Sequence, residues 1–142
     1  MVRGPRSSRE RRHQPTASEM TDAALILIVE DNEKNMKLAR DVLQFAGFRT
    51  LEAVTAAQGL ALAAEHRPDL ILMDIQLPGM DGVAALRHLR DNPDTAGIKV
   101  VALTAFAMKD DRERFVAAGF DGYLSKPISV RELPSQVRQY LS

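Results

Sequence analysis

The stretch "ILMDIQLPGMDG", Ile71 to Gly82, decides the fold of this chain. It starts with apolar residues typical of a strand buried on both faces of a sheet, and Asp74 ends that apolar run. Pro78 and Gly79 then interrupt the regular backbone. A core strand that ends on a carboxylate and passes into a rigid turn indicates that the acid is held in a fixed place.

Apolar runs of this kind alternate with helical patterns along the whole chain. Strands are predicted at residues 25–29, 48–53, 69–74, 98–104 and 122–126. Apolar residues at three- and four-residue spacing predict helices at 36–45, 55–66, 83–89, 109–118 and 129–141. Right-handed crossovers then give an α/β fold, a doubly wound five-stranded parallel sheet with helices on both faces.

Capping patterns mark the starts of two of these helices. Thr55 with Gln58 fits a capping box, and so does Ser129 with Glu132. Pro134 lies too deep for the first position of a helix that starts near residue 129. The last helix is therefore expected either to start late or to kink at this proline.

The composition sets limits on the class of protein. A length of 142 residues suits one domain, and a formal net charge of zero argues against a general nucleic-acid binder. The absence of cysteine excludes disulfides and thiolate chemistry. No apolar run reaches the roughly 18 residues that a membrane span needs, and no signal-peptide core is visible. A cytoplasmic protein without membrane insertion is expected.

The first 22 residues differ in composition from the rest. They carry five arginines against three acids and almost nothing apolar, so they cannot bury enough surface to offset the entropy of ordering. We expect residues 1–22 to form a disordered basic tail and residues 23–142 to form the domain. Translation from Met20 is an alternative start.

Polar side chains collect where the predicted strands end. Parallel sheets gather their chemistry at the carboxyl ends of the strands. The residues at these positions are Glu30 and Asp31, Asp74, Thr104, and Lys126. Adjacent carboxylates repel one another, and Mg²⁺ is the usual remedy, with Mn²⁺ as the alternative. A cation beside a lysine and a hydroxyl suits a phosphoryl group.

Asp74 is the natural nucleophile at this rim, because a carboxylate can carry a phosphoryl group as a mixed anhydride. The turn from Gln76 to Gly79 can offer the Gln76 backbone carbonyl to the metal. Neither GxxxxGK[ST] nor GxGxxG occurs, so the phosphoryl group is not expected to arrive on a bound nucleotide.

Each of these residues also has an ordinary structural interpretation. Asp74 could cap a turn, and Asp31 could cap the first helix. Thr104 could serve only its strand, and Lys126 could be a surface lysine. The functional interpretation depends on all of them meeting at one rim.

Four motifs resemble the response-regulator receiver domains of two-component signalling. They occur in order as "VEDN" (29–32), "LMDIQLPGMDG" (72–82), "LTAFA" (103–107) and "SKPIS" (125–129). The resemblance covers residue 25 to about 141 and is strongest to stand-alone cell-division regulators of this family. It implies a flavodoxin-like receiver fold with strand order 2-1-3-4-5.

The resemblance also implies roles for the rim residues. Asp74 is the phospho-acceptor and, with Asp31, a metal ligand, and Glu30 is a ligand acting through water. Thr104 and Lys126 clasp the phosphoryl oxygens. The aromatic residue that moves on activation is Tyr123, and the Lys126–Pro127 peptide is cis.

The leading hypothesis is a single-domain response regulator that signals by altered protein–protein contacts and is not a conventional enzyme. Its donor would be a sensor histidine kinase or histidine phosphotransferase. An output protein would dock on the face made by the fourth helix, fifth strand and fifth helix. The chain ends about one helix after Lys126, so no output domain is expected.

Two alternatives remain open at this point. A haloacid-dehalogenase-type phosphohydrolase would resemble this site but calls for a second Asp where Gln76 stands. A flavodoxin-like flavin carrier would want a Ser/Thr/Gly-rich loop after the first strand, where "EDNEKN" (30–35) is acidic.

Overall fold

The computed structural model describes residues 24–105 and 109–142. The predicted tail, the alternative start at Met20 and part of the "LTAFA" motif lie outside the described residues. No helix within the described ranges has both the length and the apolar character needed to cross a membrane.

The described residues form a five-stranded sheet in which every paired strand is parallel. The strands are β1 (Leu25–Val29), β2 (Arg49–Ala53), β3 (Leu70–Asp74), β4 (Lys99–Thr104) and β5 (Gly122–Ser125). Their order is β2-β1-β3-β4-β5, which confirms the predicted doubly wound topology. Each strand lies within one residue of its predicted bounds.

Helices α1 to α5 follow the strands in turn. They are α1 (Glu33–Phe45), α2 (Ala56–His66), α3 (Gly82–Asp91), α4 (Lys109–Ala118) and α5 (Leu133–Leu141). The Thr55 side chain accepts a hydrogen bond from Gln58 N, as the capping box predicts. Glu132 N donates to Ser129 Oγ in the same manner, but this contact forms a turn before α5. Pro134 therefore marks a late helix start, because it occupies the first turn of α5.

Alternate residues of each central strand pack on opposite faces of the sheet. In β3, Ile71 and Met73 join the core under α2, α3 and α4, whereas Leu70 and Leu72 join the core under α1 and α5. All five β3 residues are buried. The apolar run of the central strand is thus explained by helices on both faces, and Asp74 is fixed at the end of the most enclosed strand.

The start of α3 lies directly against the end of β3. Gly82 N donates to Ile75 O at 3.0 Å. A Cβ added at Gly82 would lie 2.8 Å from Asp74 O and 2.9 Å from Ile75 Cα. Both are backbone atoms, so this close approach requires glycine and sets the path of the turn that carries Asp74.

We expect Gly82→Ala to lower the free energy of unfolding by about 1–3 kcal/mol, because the new methyl group overpacks against backbone. This loss should outweigh the helix propensity of alanine, worth about 1 kcal/mol. Urea denaturation measures it. Gly97→Ala is the matched control, since a Cβ at Gly97 meets nothing within 4 Å. An unchanged or higher stability of Gly82→Ala would contradict the packing argument.

Candidate functional site

Strand pairing brings the predicted site residues to one rim of the sheet. In register, Val29 pairs with Met73, Asp74 with Leu103, and Thr104 with Ser125. The residues that end or directly follow these four strands are therefore neighbours. Sequence distance is no obstacle, since Lys126 and Asp74 are 52 positions apart and hydrogen-bonded.

Three carboxylates form an acidic cluster at this rim. Oxygens of Glu30, Asp31 and Asp74 all lie within 4.8 Å of one another. Glu30 is 1% exposed and Asp74 3% exposed, whereas Asp31 faces solvent. Two buried acids with a third at the open side form a donor set that suits a hard divalent cation entering from solvent.

The ammonium of Lys126 lies between the two buried acids. Its Nζ is 3.0 Å from Asp74 Oδ2 and 2.8 Å from Glu30 Oε1. Burial alone would lower the pKa of Lys126, but the nearby carboxylates of Glu30 and Asp74 outweigh burial and raise its pKa. The lysine is therefore a fixed positive charge, and it offsets part of the negative charge of the rim.

Opposing effects act on the pKa of Glu30, and the net result is a raised pKa. Burial raises its pKa, and the neighbouring Asp74 adds to this, while Lys126 and the Asn32 backbone oppose it. Asn32 N donates to Glu30 Oε2 at 3.1 Å. Oε1 is close to the Lys126 charge, but within the described residues it accepts no hydrogen bond of regular angle.

A divalent cation fits this set of residues. Among the described residues, none donates a hydrogen bond of regular angle to the buried Glu30 Oε1, so this oxygen can still coordinate a cation. Asp31 presents a solvent-facing carboxylate next to it. Three acids against one lysine leave the cluster with an excess of negative charge. A divalent cation, bound directly or through water, offsets this excess.

The turn after β3 orients the Asp74 carboxylate. Gln76 N donates to Asp74 Oδ1 at 2.9 Å, and Lys126 holds the other oxygen. Both oxygens are thus fixed by groups from different parts of the chain. The Gln76 carbonyl as a metal ligand stays a prediction, because the contact seen here is made by its N–H.

The remaining predicted residues lie along β4 and β5. Thr104 is buried at the end of β4, and its carbonyl accepts from Lys126 N at 2.8 Å. The Lys126–Pro127 peptide is cis, as predicted. Tyr123 is half-buried on β5 and packs against the core under α4.

Two further contacts of the site residues, made by Asn32 and Arg112, were not predicted from the sequence. One is the Asn32 N–H that holds Glu30. The other is Arg112, whose Nη1 donates to the Tyr123 hydroxyl at 2.8 Å. The motif "VEDN" is compatible with the Asn32–Glu30 contact, because the backbone N–H of a loop residue can donate to an acid two positions earlier. No spacing rule links Arg112 to Tyr123, since β5 and α4 are joined by a loop.

Comparisons with known proteins agree with this geometry. The profile of the response regulator receiver domain family matches residues 26–138. The polar-differentiation response regulator DivK of Brucella anthropi is 48% identical over 116 residues, 82% of this chain and 94% of the relative. DivK of Brucella ovis is 47% identical over 116 residues, which again cover 82% of this chain and 94% of the relative.

Solved structures agree as well. The receiver domain of sensor histidine kinase PA1611 from Pseudomonas aeruginosa, solved with magnesium in its active-site cleft, is 34% identical. It matches with a TM-score of 0.77 over 84% of this chain and 98% of that one. Chemotaxis response regulator CheY4 of Vibrio cholerae, 24% identical, shares the fold with a TM-score of 0.79 over 83% of this chain and 98% of its own.

We expect Mg²⁺ to raise the thermal unfolding temperature of the wild-type chain, because only the folded state assembles the acidic cluster. Asp31→Asn should abolish this rise and keep the fold, since Asp31 is exposed and lies outside the Lys126 ion pairs. Differential scanning fluorimetry with and without Mg²⁺ measures both effects.

Asp91→Asn is the matched control, because Asp91 is an exposed acid at the end of α3. It should keep the full Mg²⁺ response. An equal Mg²⁺ response in Asp31→Asn would remove Asp31 from the cation site.

Proposed function

The chain belongs to the response regulator receiver domain family, and on this premise we propose that Asp74 is the phospho-acceptor of a two-component response regulator. Proteins of this family take phosphoryl groups from histidine kinases or phosphotransfer proteins and contact output partners. The observation that carries the assignment is the buried Asp74 carboxylate, held between the Lys126 ammonium and the acidic cluster.

The transfer begins with attack of an Asp74 oxygen on the phosphorus of a phosphohistidine donor. The new O–P bond forms as the P–N bond breaks, and the electron pair of the P–N bond stays on the imidazole nitrogen of the donor. Gln76 N–H and Lys126 hold the carboxylate in one orientation for this in-line attack. Asp31, Asp74 and the Gln76 carbonyl, with Glu30 acting through water, would hold Mg²⁺ or alternatively Mn²⁺. When bound, the cation would offset the charge of the phosphoryl oxygens.

Lys126 and Thr104 would then bind the product. The ammonium already contacts Asp74 Oδ2, so a phosphoryl group on Asp74 comes within its reach. Thr104 ends the neighbouring strand, and its hydroxyl would donate to another phosphoryl oxygen. Because Thr104 ends β4 and Lys126 directly follows β5, binding the phosphoryl group biases the positions of those strands and the loops that follow them.

The two alternative functions are less well supported by the site. A haloacid-dehalogenase-type hydrolase needs an acid where Gln76 stands, and the acids here follow β1 instead. A flavin phosphate would meet Glu30 and Asp31, which repel it. We infer a phospho-acceptor that promotes its own phosphorylation and dephosphorylation and is not a conventional enzyme.

The output surface is inferred to be the face made by α4, β5 and α5. It carries a shallow groove of about 570 Å³, which is largely apolar and includes the exposed Val116. The groove is lined by Arg112, Glu113, Val116, Ala117 and Tyr123. By analogy with DivK, we infer a cytoplasmic regulator of cell polarity and division that binds a protein partner, not nucleic acid or membrane.

Asp74→Asn should take up no phosphoryl group from acetyl phosphate yet remain folded, because Asn is nearly isosteric and removes one charge from a crowded rim. Wild-type phosphorylation should require a divalent cation. Intact-mass measurement with and without EDTA, followed by peptide mapping, tests both statements. Label that persists in Asp74→Asn, or survives EDTA undiminished, would disprove the assignment.

Lys126→Ala should weaken binding of the phosphoryl mimic beryllofluoride by about ten- to 150-fold, since a hydrogen bond to a charged group contributes about 1.5–3 kcal/mol. Titration followed by NMR measures the affinity and shows whether the response still reaches β5. Lys37→Ala, which removes an exposed lysine from α1, is the control. Wild-type affinity in Lys126→Ala would argue against the clamp.

A further inference from the structure

Arg112 holds Tyr123 by two separate contacts. Its Nη1 donates a 2.8 Å hydrogen bond to the Tyr123 hydroxyl. Its guanidinium carbon also lies 5.6 Å from the centroid of the tyrosine ring, within the range of a cation–π contact. One side chain of α4 therefore fixes both the tip and the face of this ring.

Tyr123 stands on the path from the phosphoryl site to α4. It pairs in register with Ala102 of β4, two residues before Thr104, and precedes Lys126 by three residues. Its ring packs on the core under α4 and forms one wall of the surface groove. A movement of this ring therefore changes the groove, and a movement of Thr104 or Lys126 changes the surroundings of the ring.

We propose that Arg112 is a positioning residue that holds Tyr123 in its resting orientation and so sets how readily the chain passes to its phosphorylated arrangement. This inference rests on the proposed function. In the observed arrangement the Tyr123 hydroxyl lies at the surface with Arg112. A ring that turned toward Thr104 would lose this hydrogen bond, so the bond stabilises the resting state alone.

The size of the effect follows from the exposure of the contact. A net hydrogen bond with an exposed arginine shifts a two-state equilibrium by about two- to fivefold. When the resting state predominates, removing this hydrogen bond raises the apparent affinity for a ligand of the other state by the same factor. By reciprocity, a phosphoryl mimic at Asp74 should weaken the contact between Arg112 and Tyr123.

The test is a beryllofluoride titration of the full chain in the presence of Mg²⁺. Arg112→Ala should bind the mimic about two- to fivefold more tightly than wild type. Arg112→Lys should return the affinity toward the wild-type value, because an ammonium can still donate to the hydroxyl. Arg114→Ala is the control and should keep the wild-type affinity, since Arg114 is an arginine of the same helix that lies over Phe115 and outside the groove lining.

A double-mutant cycle with Tyr123→Phe separates positioning from a general effect on the fold. Without the hydroxyl, Arg112→Ala should lose at least half of its effect on a logarithmic scale, and the remainder belongs to the ring contact. The chain has two tyrosines, so 3-fluorotyrosine in Tyr140→Phe gives one signal, from Tyr123. In unligated Arg112→Ala this signal should move toward its beryllofluoride-bound position.

The outcomes distinguish this inference from the proposed function. Equal affinity in wild type and Arg112→Ala, or effects that simply add in the cycle, would overturn the role of Arg112 and leave the phospho-acceptor in place. Beryllofluoride binding that is absent, or that persists in Asp74→Asn, would overturn the proposed function and this role with it.

Discussion

The paired contact of Lys126 with Glu30 and Asp74 is the interaction on which the rest of the site depends. Two buried carboxylates side by side would repel each other, and a buried charge without a partner is costly. One ammonium, 2.8 and 3.0 Å from their oxygens, reduces both costs. It still leaves the rim negative, so the site favours a divalent cation.

The doubly wound sheet makes this contact geometrically simple. The acids follow or end β1 and β3, and the lysine follows β5, so parallel pairing places all of them at one edge. The strands are buried on both faces, which gives the carboxylates a rigid foundation. Gly82 completes the arrangement, because the start of α3 approaches the end of β3 too closely for any side chain.

Arg90 links the segments that precede β4 and β5, at the end of these strands opposite the candidate site. Its guanidinium donates to the carbonyls of Ala96 and Ile98 before β4 and to Asp121 before β5. Asp121 also accepts from Val100 N, so α3, β4 and the start of β5 are linked there. At the other end, the same two strands carry Thr104 and Lys126, with Tyr123 and Arg112 alongside. The end anchored by Arg90 and the end that carries the candidate site thus belong to the same pair of strands.

Local sequence patterns determined much of this protein. The strand patterns predicted every strand to within a residue, and Thr55 with Gln58 predicted the start of α2. Both features depend on residues that are close together in the sequence. Serine and glutamate before α5 misled in one respect: their contact forms a turn, and the helix begins at Leu133. The order of the strands came from the family resemblance, since periodicity does not specify which strands pair.

Only the tertiary structure decided which charges meet and how they are held. The sequence placed Glu30, Asp74 and Lys126 at strand ends, but their pairing depends on the register of strands far apart in the chain. The bond between Arg112 and Tyr123 depends on how α4 lies over β5. Such contacts are fixed by packing between elements, and packing has no local pattern that neighbouring residues could display.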